Sequence, residues 1–328
     1  SDLIKGVIVR KIVLGRTGVD VSAISLGAWS YGRENMSEDT PVGWSGQTDS
    51  DSRAALRTAY DLDINHWDTA DVYGNGYSEK IIGSMWTDIS REQIFLATKV
   101  GWDRGPYSYW YHPNHMRQNM ERSLNNLNTD CVDLLYLHHC NFGKQKEYFD
   151  DAMDIIHRFQ EEGKTRFVGL SDWSSEKIMI FIQQANPDVV QPLRNVYNDT
   201  YVQSGLKEYV DIHNLGVCFF SPIKHGLLTG KYNNVASFPD GDFRQTIQEF
   251  QDIEFIKKMR KNKSFLEKRF VNHSDPVLHG LLGALLTGCP TGCVLLGQRN
   301  QEQVSATKNL GKQLNKDDAA WVFSLYKK

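Results

Sequence analysis

Eight short apolar runs recur along this chain, and amphipathic segments separate them. The runs are nearly continuous in apolar residues, which is typical of parallel strands that helices cover. They span residues 23–27, 64–67, 94–98, 132–137, 167–170, 189–190, 217–220 and 294–296. An unbroken series of eight such units favours the α/β class, specifically a (β/α)8 TIM barrel, over an open doubly wound sheet.

Helix signals lie between these runs. Apolar residues repeat at helical spacing over residues 178–185, behind a serine N-cap at Ser174 or Ser175. The same spacing recurs over residues 152–159 and ends near Gly163. Two helices are therefore predicted on the outer face of the barrel.

The N-terminal part of the chain predicts a β-hairpin. Residues 8–14 and 19–22 flank the turn-like sequence GRTG, and the hairpin would cover one end of the barrel. No linker rich in proline or glycine and no low-complexity segment interrupts the pattern that follows. Residues 1–328 are therefore expected to form a single domain.

Charge and cysteine content narrow the class of partner. The net charge is -3 with the two signs interspersed, so no clustered basic face predicts nucleic-acid binding. No apolar run approaches the roughly 20 residues of a membrane helix, and the N-terminus lacks a signal-peptide cleavage pattern. The five cysteines form an odd, scattered set that suits a reducing compartment. A cytoplasmic protein with a small-molecule partner and no membrane contact is expected.

A polar or aromatic residue stands at the end of each apolar run. In a barrel the carboxyl ends of all eight strands meet on one face, where active sites are built. In chain order these residues are Trp29, Asp68 with Tyr73, Lys99, His138, Ser171, Gln191, Ser221 and Gln298.

Four of these residues can act together on a carbonyl. A tyrosine has a pKa of about 10 and donates its proton poorly at neutral pH unless a nearby cation favours its ionised form, a role that Lys99 can fill for Tyr73. A buried lysine needs a counter-charge, which Asp68 supplies, and His138 can hold the substrate oxygen or share the proton. No side chain donates hydride, so a nicotinamide cofactor is implied.

Five stretches carry a family resemblance: DTADVYGNGYSE, the lysine of FLATKVG, the first histidine of DLLYLHH, GKTRFVGLSDWS and FSPIKHGLLTGKY. Over residues 11–310 the chain resembles the aldo-keto reductases. The resemblance implies a barrel that binds NADP(H) across its C-terminal face and reduces an aldehyde, ketone or sugar carbonyl to an alcohol. It also implies a catalytic tetrad of Asp68, Tyr73, Lys99 and His138, with Tyr73 as the general acid.

The resemblance extends to residues at the nicotinamide end of the cofactor. In the family Ser, Asn and Gln hold the carboxamide, and the matching positions are Ser171, Asp172 and Gln191. Asp172 departs from the pattern, because an aspartate accepts from the amide NH2 but cannot donate to its oxygen. Its negative charge should favour the oxidised nicotinamide. Phe220 matches the aromatic residue that stacks on the ring.

The phosphate and adenosine ends of the cofactor match in part. Residues at the pyrophosphate positions are Ser221, Ile223, Gly226, Leu228, Gly230 and Lys231, and those at the adenosine end are Gly297, Gln298, Arg299 and Gln303. The family's Glu-Asn pair falls on Ala306 and Thr307, unless a two-residue insertion aligns Asn309. Arg299 can meet a 2′-phosphate, so NADP(H) is expected in preference to NAD(H).

Aromatic residues follow the first and third runs. Trp29 and Trp102 are predicted to wall a substrate pocket, and the other rings of residues 102–111 are expected to pack the loop. The polar segment 31–49, which contains Trp44, is a candidate lid.

Other functions remain open at this level. The stretches SDWSS and VLLG are also similar to the potassium-channel β subunits, so a cofactor-binding redox sensor or regulatory subunit with little turnover is an alternative. A sugar dehydrogenase working in the oxidative direction is a further one, which Asp172 supports.

No metal site is expected from the sequence. His138, His139 and Cys140 resemble a cluster, but adjacent strand residues point to opposite faces, and a packing role is expected for His139. Cys289 and Cys293 are assigned no function, because nothing near them in sequence would activate a thiol.

Overall fold

A computed structural model describes residues 9–327. The strands of this part of the chain are β1 (Lys11–Val13), β2 (Asp20–Ser22), β3 (Ile24–Gly27), β4 (Met36–Ser37), β5 (Thr40–Pro41), β6 (His66–Asp68), β7 (Phe95–Val100), β8 (Val132–Leu137), β9 (Thr165–Asp172), β10 (Val189–Pro192), β11 (Gly216–Phe219) and β12 (Gly292–Gly297). The α-helices are α1 (Asp49–Asp61), α2 (Tyr77–Gly83), α3 (Pro113–Leu127), α4 (Phe149–Glu161), α5 (Ser175–Ala185), α6 (Thr200–Gln203), α7 (Leu206–His213), α8 (Ile253–Arg269), α9 (Pro276–Leu286), α10 (Gln301–Ala306) and α11 (Lys316–Tyr326).

Eight strands close into a barrel in the order β3, β6, β7, β8, β9, β10, β11 and β12, and every neighbouring pair is parallel. The barrel closes where the last strand, β12, pairs with the first, β3, with Val294 opposite Ile24. Helices lie between successive strands, so the predicted (β/α)8 TIM barrel is confirmed. Among residues 9–327, no helix combines the length and apolar character that a membrane span requires.

The predicted strands are present with shifted bounds. β7 continues to Val100 and contains Lys99, and β9 ends with Ser171 and Asp172. The apolar pattern placed these residues after the strands because polar side chains end the apolar run. In the structure the backbone pairing continues past that point, which holds the polar side chains on the rigid barrel wall.

The N-terminal hairpin consists of β1 and β2, which pair antiparallel. Its first predicted residue, Ile8, lies outside the described residues. The connecting turn carries Leu14, which is fully buried and packs on Gly216 at the start of β11; a Cβ at Gly216 would lie 2.8 Å from Leu14 Cγ. The hairpin therefore covers the N-terminal end of the barrel, as predicted.

The two predicted helices are α4 and α5. Ser174 is the N-cap of α5, and its hydroxyl accepts a hydrogen bond from the backbone N–H of Lys177 at 3.2 Å. The predicted apolar faces of both helices are buried, and both helices pack on β9. Both predicted helices are therefore confirmed, and they pack against a barrel strand.

Candidate active site

A buried ion pair lies at the carboxyl end of the barrel. Lys99 of β7 pairs with Asp68, the last residue of β6, and their side chains are 1% and 4% exposed. Lys99 Nζ also donates to the carbonyl oxygen of Thr69 at 2.8 Å and to the hydroxyl oxygen of Tyr73 at 3.4 Å. The ammonium is thus fixed beside the phenol oxygen.

Tight backbone packing places Tyr73 in this position. The turn after β6 brings Gly74, at φ +62°, against Gly32, and a Cβ at Gly32 would lie 2.5 Å from Gly74 N. A side chain at either glycine would push the turn away. The ring of Trp29 stacks on that of Tyr73 with 5.8 Å between centroids. The phenol is therefore held from the barrel side and from the cavity side.

Burial and charge oppose each other at the phenol. Burial raises the pKa of Tyr73, and the Lys99 ammonium lowers it without cancelling that effect. The expectation that Lys99 favours the phenolate therefore holds only in part. Burial also disfavours the Lys99 ammonium, but the charges and hydrogen bonds of Asp68 and Tyr73 together outweigh it, so the pKa of Lys99 is raised. At neutral pH both groups carry their protons.

His138 follows β8 and faces the same point. Its ring lies edge-on to that of Tyr73 at 6.0 Å and to that of Trp102 at 4.9 Å. Burial, followed by the charge of Lys99, holds the pKa of His138 well below its usual range, so the imidazole is neutral. Within the described part of the chain, its buried Nδ1 has no hydrogen-bond partner.

A cavity of about 780 Å³ opens above these groups. Predicted site residues that line it are Trp29, Asp68, Tyr73, Trp102, His138, Ser171, Asp172, Gln191, Phe220, Ser221, Ile223, Gly226, Lys231, Gly297, Gln298, Arg299 and Gln303. Lys99 lies behind Asp68 and Tyr73. The structure therefore brings residues from all eight strand ends to one face.

Two predicted contacts do not line this cavity. Leu228 is fully buried, and its carbonyl oxygen accepts a hydrogen bond from the Tyr326 hydroxyl at 2.9 Å. Gly230 packs on α8, where a Cβ would lie 2.6 Å from the carbonyl oxygen of Met259. The turn at residues 224–229 directs this part of the chain back onto the outer helices.

The residues assigned to the adenosine end differ from one another in how they face the cavity. The amide of Gln298 is buried, and its Nε2 donates to the carbonyl oxygen of Ser25 at 3.2 Å. Ala306 lines the cavity, whereas Thr307 is buried and Asn309 lies outside the cavity lining, its amide donating to the Ser274 hydroxyl at 3.3 Å. The insertion alignment therefore does not place Asn309 in the cavity wall.

The side chains assigned to the nicotinamide carboxamide already form hydrogen bonds to other residues of the protein. The Ser171 hydroxyl donates to the carbonyl oxygen of Gln191 at 2.9 Å, and Gln191 Nε2 donates to Asp68 Oδ2 at 3.0 Å. Asp172 Oδ2 accepts from the N–H of Cys140 at 2.7 Å, and Oδ1 accepts from the N–H of Ser174 at 2.8 Å. Both carboxylate oxygens of Asp172, the residue that differs from the family pattern, therefore hold neighbouring backbone in place.

Two segments meet across the mouth of the cavity, residues 33–46 and residues 238–246, called here the mouth segments. The N–H of Gly43 donates to the carbonyl oxygen of Gly241 at 3.0 Å, and Ser45 Oγ donates to Asp242 Oδ2 at 2.6 Å. The Arg244 guanidinium pairs with Asp242 and lies 4.3 Å from the Trp44 ring centroid. The candidate lid therefore has a second half that the sequence did not indicate.

Positive charge accumulates where Lys231, Arg244 and Arg299 line the cavity. Burial and then the charge of Arg244 lower the pKa of both Lys231 and Arg299. Arg299 also donates to the carbonyl oxygen of Ser45 at 2.7 Å, which ties it to a mouth segment. An anionic group bound here would relieve the repulsion among these three cations.

Sequence reasoning assigned no role to several further cavity residues, among them Arg244, His225 and Trp173. Arg244 lies in a loop without a periodic pattern, and no local signal marks it. His225 lies within the stretch FSPIKHGLLTGKY, between the assigned contacts Ile223 and Gly226. The His225 ring lies 5.8 Å from that of Trp29, and burial lowers its pKa to about 3. Trp173, whose ring meets that of Phe220 edge-on at 4.9 Å, directly follows β9 and could have been found from its place at a strand end.

His139, the residue after His138, packs in a different environment from His138. The ring of His139 packs edge-on against those of Trp110 at 5.0 Å and Tyr111 at 5.1 Å. Burial lowers the pKa of His139 to about 3. The two histidines therefore face different surroundings, and His139 holds the aromatic loop.

The sequence profile of the Aldo/keto reductase family matches residues 23–326. The chain belongs to the aldo/keto reductase family. It is 27% identical over 306 residues to Aldo-keto reductase YhdN of Bacillus subtilis, covering 92% of this chain and 89% of that protein. A probable voltage-gated potassium channel subunit beta of Oryza sativa is 31% identical over 229 residues, which is 67% of this chain and 65% of that one.

Solved structures of the aldo/keto reductase family share the barrel. The glycerol dehydrogenase AKR11B4 of Gluconobacter oxydans superposes with a TM-score of 0.78 and is 27% identical, covering 96% of this chain and 94% of that one. Family membership supports an oxidoreductase that acts on carbonyl groups in general. The resemblance noted from the sequence motifs is confirmed, including its potassium-channel branch.

Proposed function

We propose that this aldo/keto reductase is an NADP(H)-dependent enzyme that reduces an aldehyde, ketone or sugar carbonyl to an alcohol, with Tyr73 as the general acid. The observation that carries the proposal is the buried contact between the Tyr73 hydroxyl and Lys99 Nζ at 3.4 Å, directly beneath the cavity. A protonated phenol beside an ammonium can release its proton to a substrate oxygen without creating an isolated buried anion.

Features at both ends of the cavity support NADP(H) as the cofactor. Lys231 and Arg299 supply positive charge for phosphates, and Arg299 is the residue proposed for the 2′-phosphate. Phe220 offers a ring for stacking, and Ser171 and Gln191, which line the same cavity, are the residues proposed for the carboxamide. The volume of about 780 Å³ lies in the range of small-molecule sites. When bound, NADPH would supply the hydride that the protein lacks.

The residues divide the proton chemistry between them. Tyr73 donates its proton to the carbonyl oxygen, and Lys99 stabilises the phenolate that remains. Asp68 keeps Lys99 charged despite its burial. His138, neutral and edge-on to Tyr73, offers a hydrogen bond that orients the same oxygen. Trp29 and Trp102 wall the pocket and exclude water.

Names of relatives support a small hydroxylated substrate. An Escherichia coli protein named L-glyceraldehyde 3-phosphate reductase is 30% identical over 233 residues, covering 67% of this chain and 63% of that one. One observation favours the oxidative direction as a second candidate, since the Asp172 carboxylate lines the cavity. Similarity to potassium-channel subunits supports the third candidate, a regulatory protein with little turnover.

The test compares Tyr73→Phe with wild type on a panel of aldehydes, ketones and sugars, with Tyr60→Phe on the outer helix α1 as the matched control. We expect Tyr73→Phe to lower kcat at least about 100-fold and leave NADPH affinity, followed by tryptophan fluorescence, nearly unchanged. Retention of most turnover would overturn the acid assignment. Tight NADPH retention without turnover of any substrate would favour the regulatory candidate, and equal affinity for NADPH and NADH would remove the role of Arg299.

A further inference from the structure

Two soft thiol groups and an imidazole meet inside the barrel, away from the proposed carbonyl site. They are Cys218 of β11, Cys293 of β12 and His66 of β6, and none has any exposed surface. Cys293 Sγ lies 3.3 Å from Cys218 Sγ and 3.7 Å from His66 Nδ1, and the three donor atoms all lie within 4.8 Å of one another. Thiolates and imidazoles are the ligands that Zn²⁺ and Cu⁺ prefer in proteins, so these three side chains could hold such an ion.

Sequence alone gave no hint of this cluster. The cysteine nearest to Cys293 in sequence, Cys289, instead has its sulfur 3.4 Å from the guanidinium of Arg194. The cysteines are register partners on neighbouring parallel strands, and His66 lies 227 residues before Cys293. Only the closing of the barrel brings them together, because β12 pairs with β3 and β3 with β6.

We infer that His66, Cys218 and Cys293 form a buried structural site for a single thiophilic metal ion, Zn²⁺ or Cu⁺. A tetrahedral ion with bonds of about 2.3 Å to sulfur and about 2.0 Å to nitrogen separates its donors by roughly 3.5 to 3.8 Å. The observed sulfur–nitrogen separation of 3.7 Å lies within that range, and the sulfur–sulfur separation of 3.3 Å lies just below it, so small side-chain rotations complete the set. Binding converts both thiols to thiolates and releases their protons to solvent.

The imidazole is held so that one nitrogen faces the cluster. The His66 ring stands edge-on to Phe95 at 5.2 Å, and its Nε2 has no hydrogen-bond partner among residues 9–327. Nδ1 lies 2.9 Å from Ser25 Oγ, whose own proton is donated to the carbonyl oxygen of Ser22 at 2.8 Å. Because the Ser25 proton is committed to Ser22, Nδ1–H donates to Ser25 Oγ in this arrangement. A metal ion at Nδ1 requires that proton to move to Nε2, which leaves Ser25 Oγ free to act as a fourth ligand.

The choice between the two ions depends on that fourth ligand. Structural zinc is almost always four-coordinate, so binding of Zn²⁺ requires Ser25 as well as His66 and the two cysteines. Cu⁺ accepts soft thiolate donors and needs no oxygen ligand. Either ion would join the strands on both sides of the seam where the first and last barrel strands meet, which stabilises a connection between distant parts of the chain.

The primary test needs no variant. The folded protein is purified under reducing conditions without chelator, and its zinc and copper are measured by mass spectrometry; we expect one ion per chain. Metal-free protein is then refolded with Zn²⁺, with Co²⁺ as a spectroscopic probe of the zinc geometry, or with Cu⁺ against a chelator. Thiolate-to-cobalt charge-transfer bands are expected in the zinc arm.

Variants assign the ligands and separate the ions. Cys218→Ser and Cys293→Ser should each lose the bound ion, whereas Cys131→Ser, which changes a cysteine outside the cluster, should keep it. Ser25→Ala should weaken Zn²⁺ by roughly 10-fold or more and leave Cu⁺ unaffected. The inference is overturned if the purified chain holds no metal and the refolded chain binds neither ion stoichiometrically. A Cys218–Cys293 disulfide in the purified protein, or undiminished metal in the double cysteine variant, would also overturn it.

Discussion

Gln191 donates a hydrogen bond from Nε2 to Oδ2 of Asp68 at 3.0 Å, from the far side of the barrel mouth. The other carboxylate oxygen pairs with Lys99. Asp68 is therefore fixed by two donors on two other strands, and its charge is directed at the ammonium beneath Tyr73. A residue assigned from family resemblance to cofactor binding thus also positions the proposed proton donor.

Removal of this donor should destabilise the protein. In Gln191→Leu, Oδ2 of the nearly fully buried Asp68 loses its partner, which costs about 1 to 3 kcal/mol in the free energy of unfolding. Urea denaturation measures the loss. Gln184→Leu on the exposed face of α5, whose amide bonds only the exposed Asp150, is the matched control and should change stability by less than about 0.5 kcal/mol. Equal stability of the two variants would contradict the positioning role.

The partly buried His139 should make stability fall in acid. In the unfolded chain a histidine titrates near pH 6.5, whereas burial and then the nearby Lys177 lower the pKa of His139 in the folded protein to about 3. Between these values the unfolded state binds more protons, so stability is complete above about pH 6.5 and falls as the pH decreases towards 3.

Each such group contributes a slope of about 1.4 kcal/mol per pH unit within its window. His139→Gln should reduce the measured slope by that amount, while the buried His138 continues to contribute in the same direction. The variant also loses packing against Trp110 and Tyr111, which lowers stability at every pH, so the slope is the decisive quantity. An unchanged slope in urea titrations from pH 7 to 4 would show that His139 protonates freely when folded.

The mouth segments should depend on one buried ion pair. Asp242 has no exposed side-chain surface and Arg244 only 9%, and the pair also binds Ser45. Arg244→Met leaves a buried carboxylate without its counter-charge, which should cost roughly 3 to 5 kcal/mol and loosen the contact with Trp44. The double variant Asp242→Asn with Arg244→Met removes both charges and should recover part of the stability. A double variant less stable than Arg244→Met alone would contradict this account.

The sequence predicts those site residues that lie at the end of an apolar run. Asp68 and Lys99 were found this way because strand order alone determines that such ends share one face. Arg244 was missed because its position depends on hydrogen bonds to Ser45, 199 residues earlier, and no local pattern encodes them. The cluster of His66 and Cys218 was missed for a related reason, since only the register of the closed barrel shows which strand residues point inward together.

Asp172 offers the sharpest test of reaction direction. Its carboxylate lines the cavity and accepts from the N–H groups of Cys140 and Ser174, so its negative charge is fixed where the proposal places the nicotinamide. A nearby negative charge favours the cationic, oxidised ring over the neutral, reduced one. Asp172→Asn removes that charge, and the ratio of the NADP⁺ to the NADPH dissociation constant should rise several-fold. The new amide has only one acceptor for the two N–H groups, so some stability is lost as well.

Fluorescence titration with both cofactor forms measures the ratio, and Asp172→Glu, which keeps the charge, is the control. An unchanged ratio in Asp172→Asn would show that the carboxylate does not act on the cofactor's redox balance and would withdraw the support for an oxidative direction.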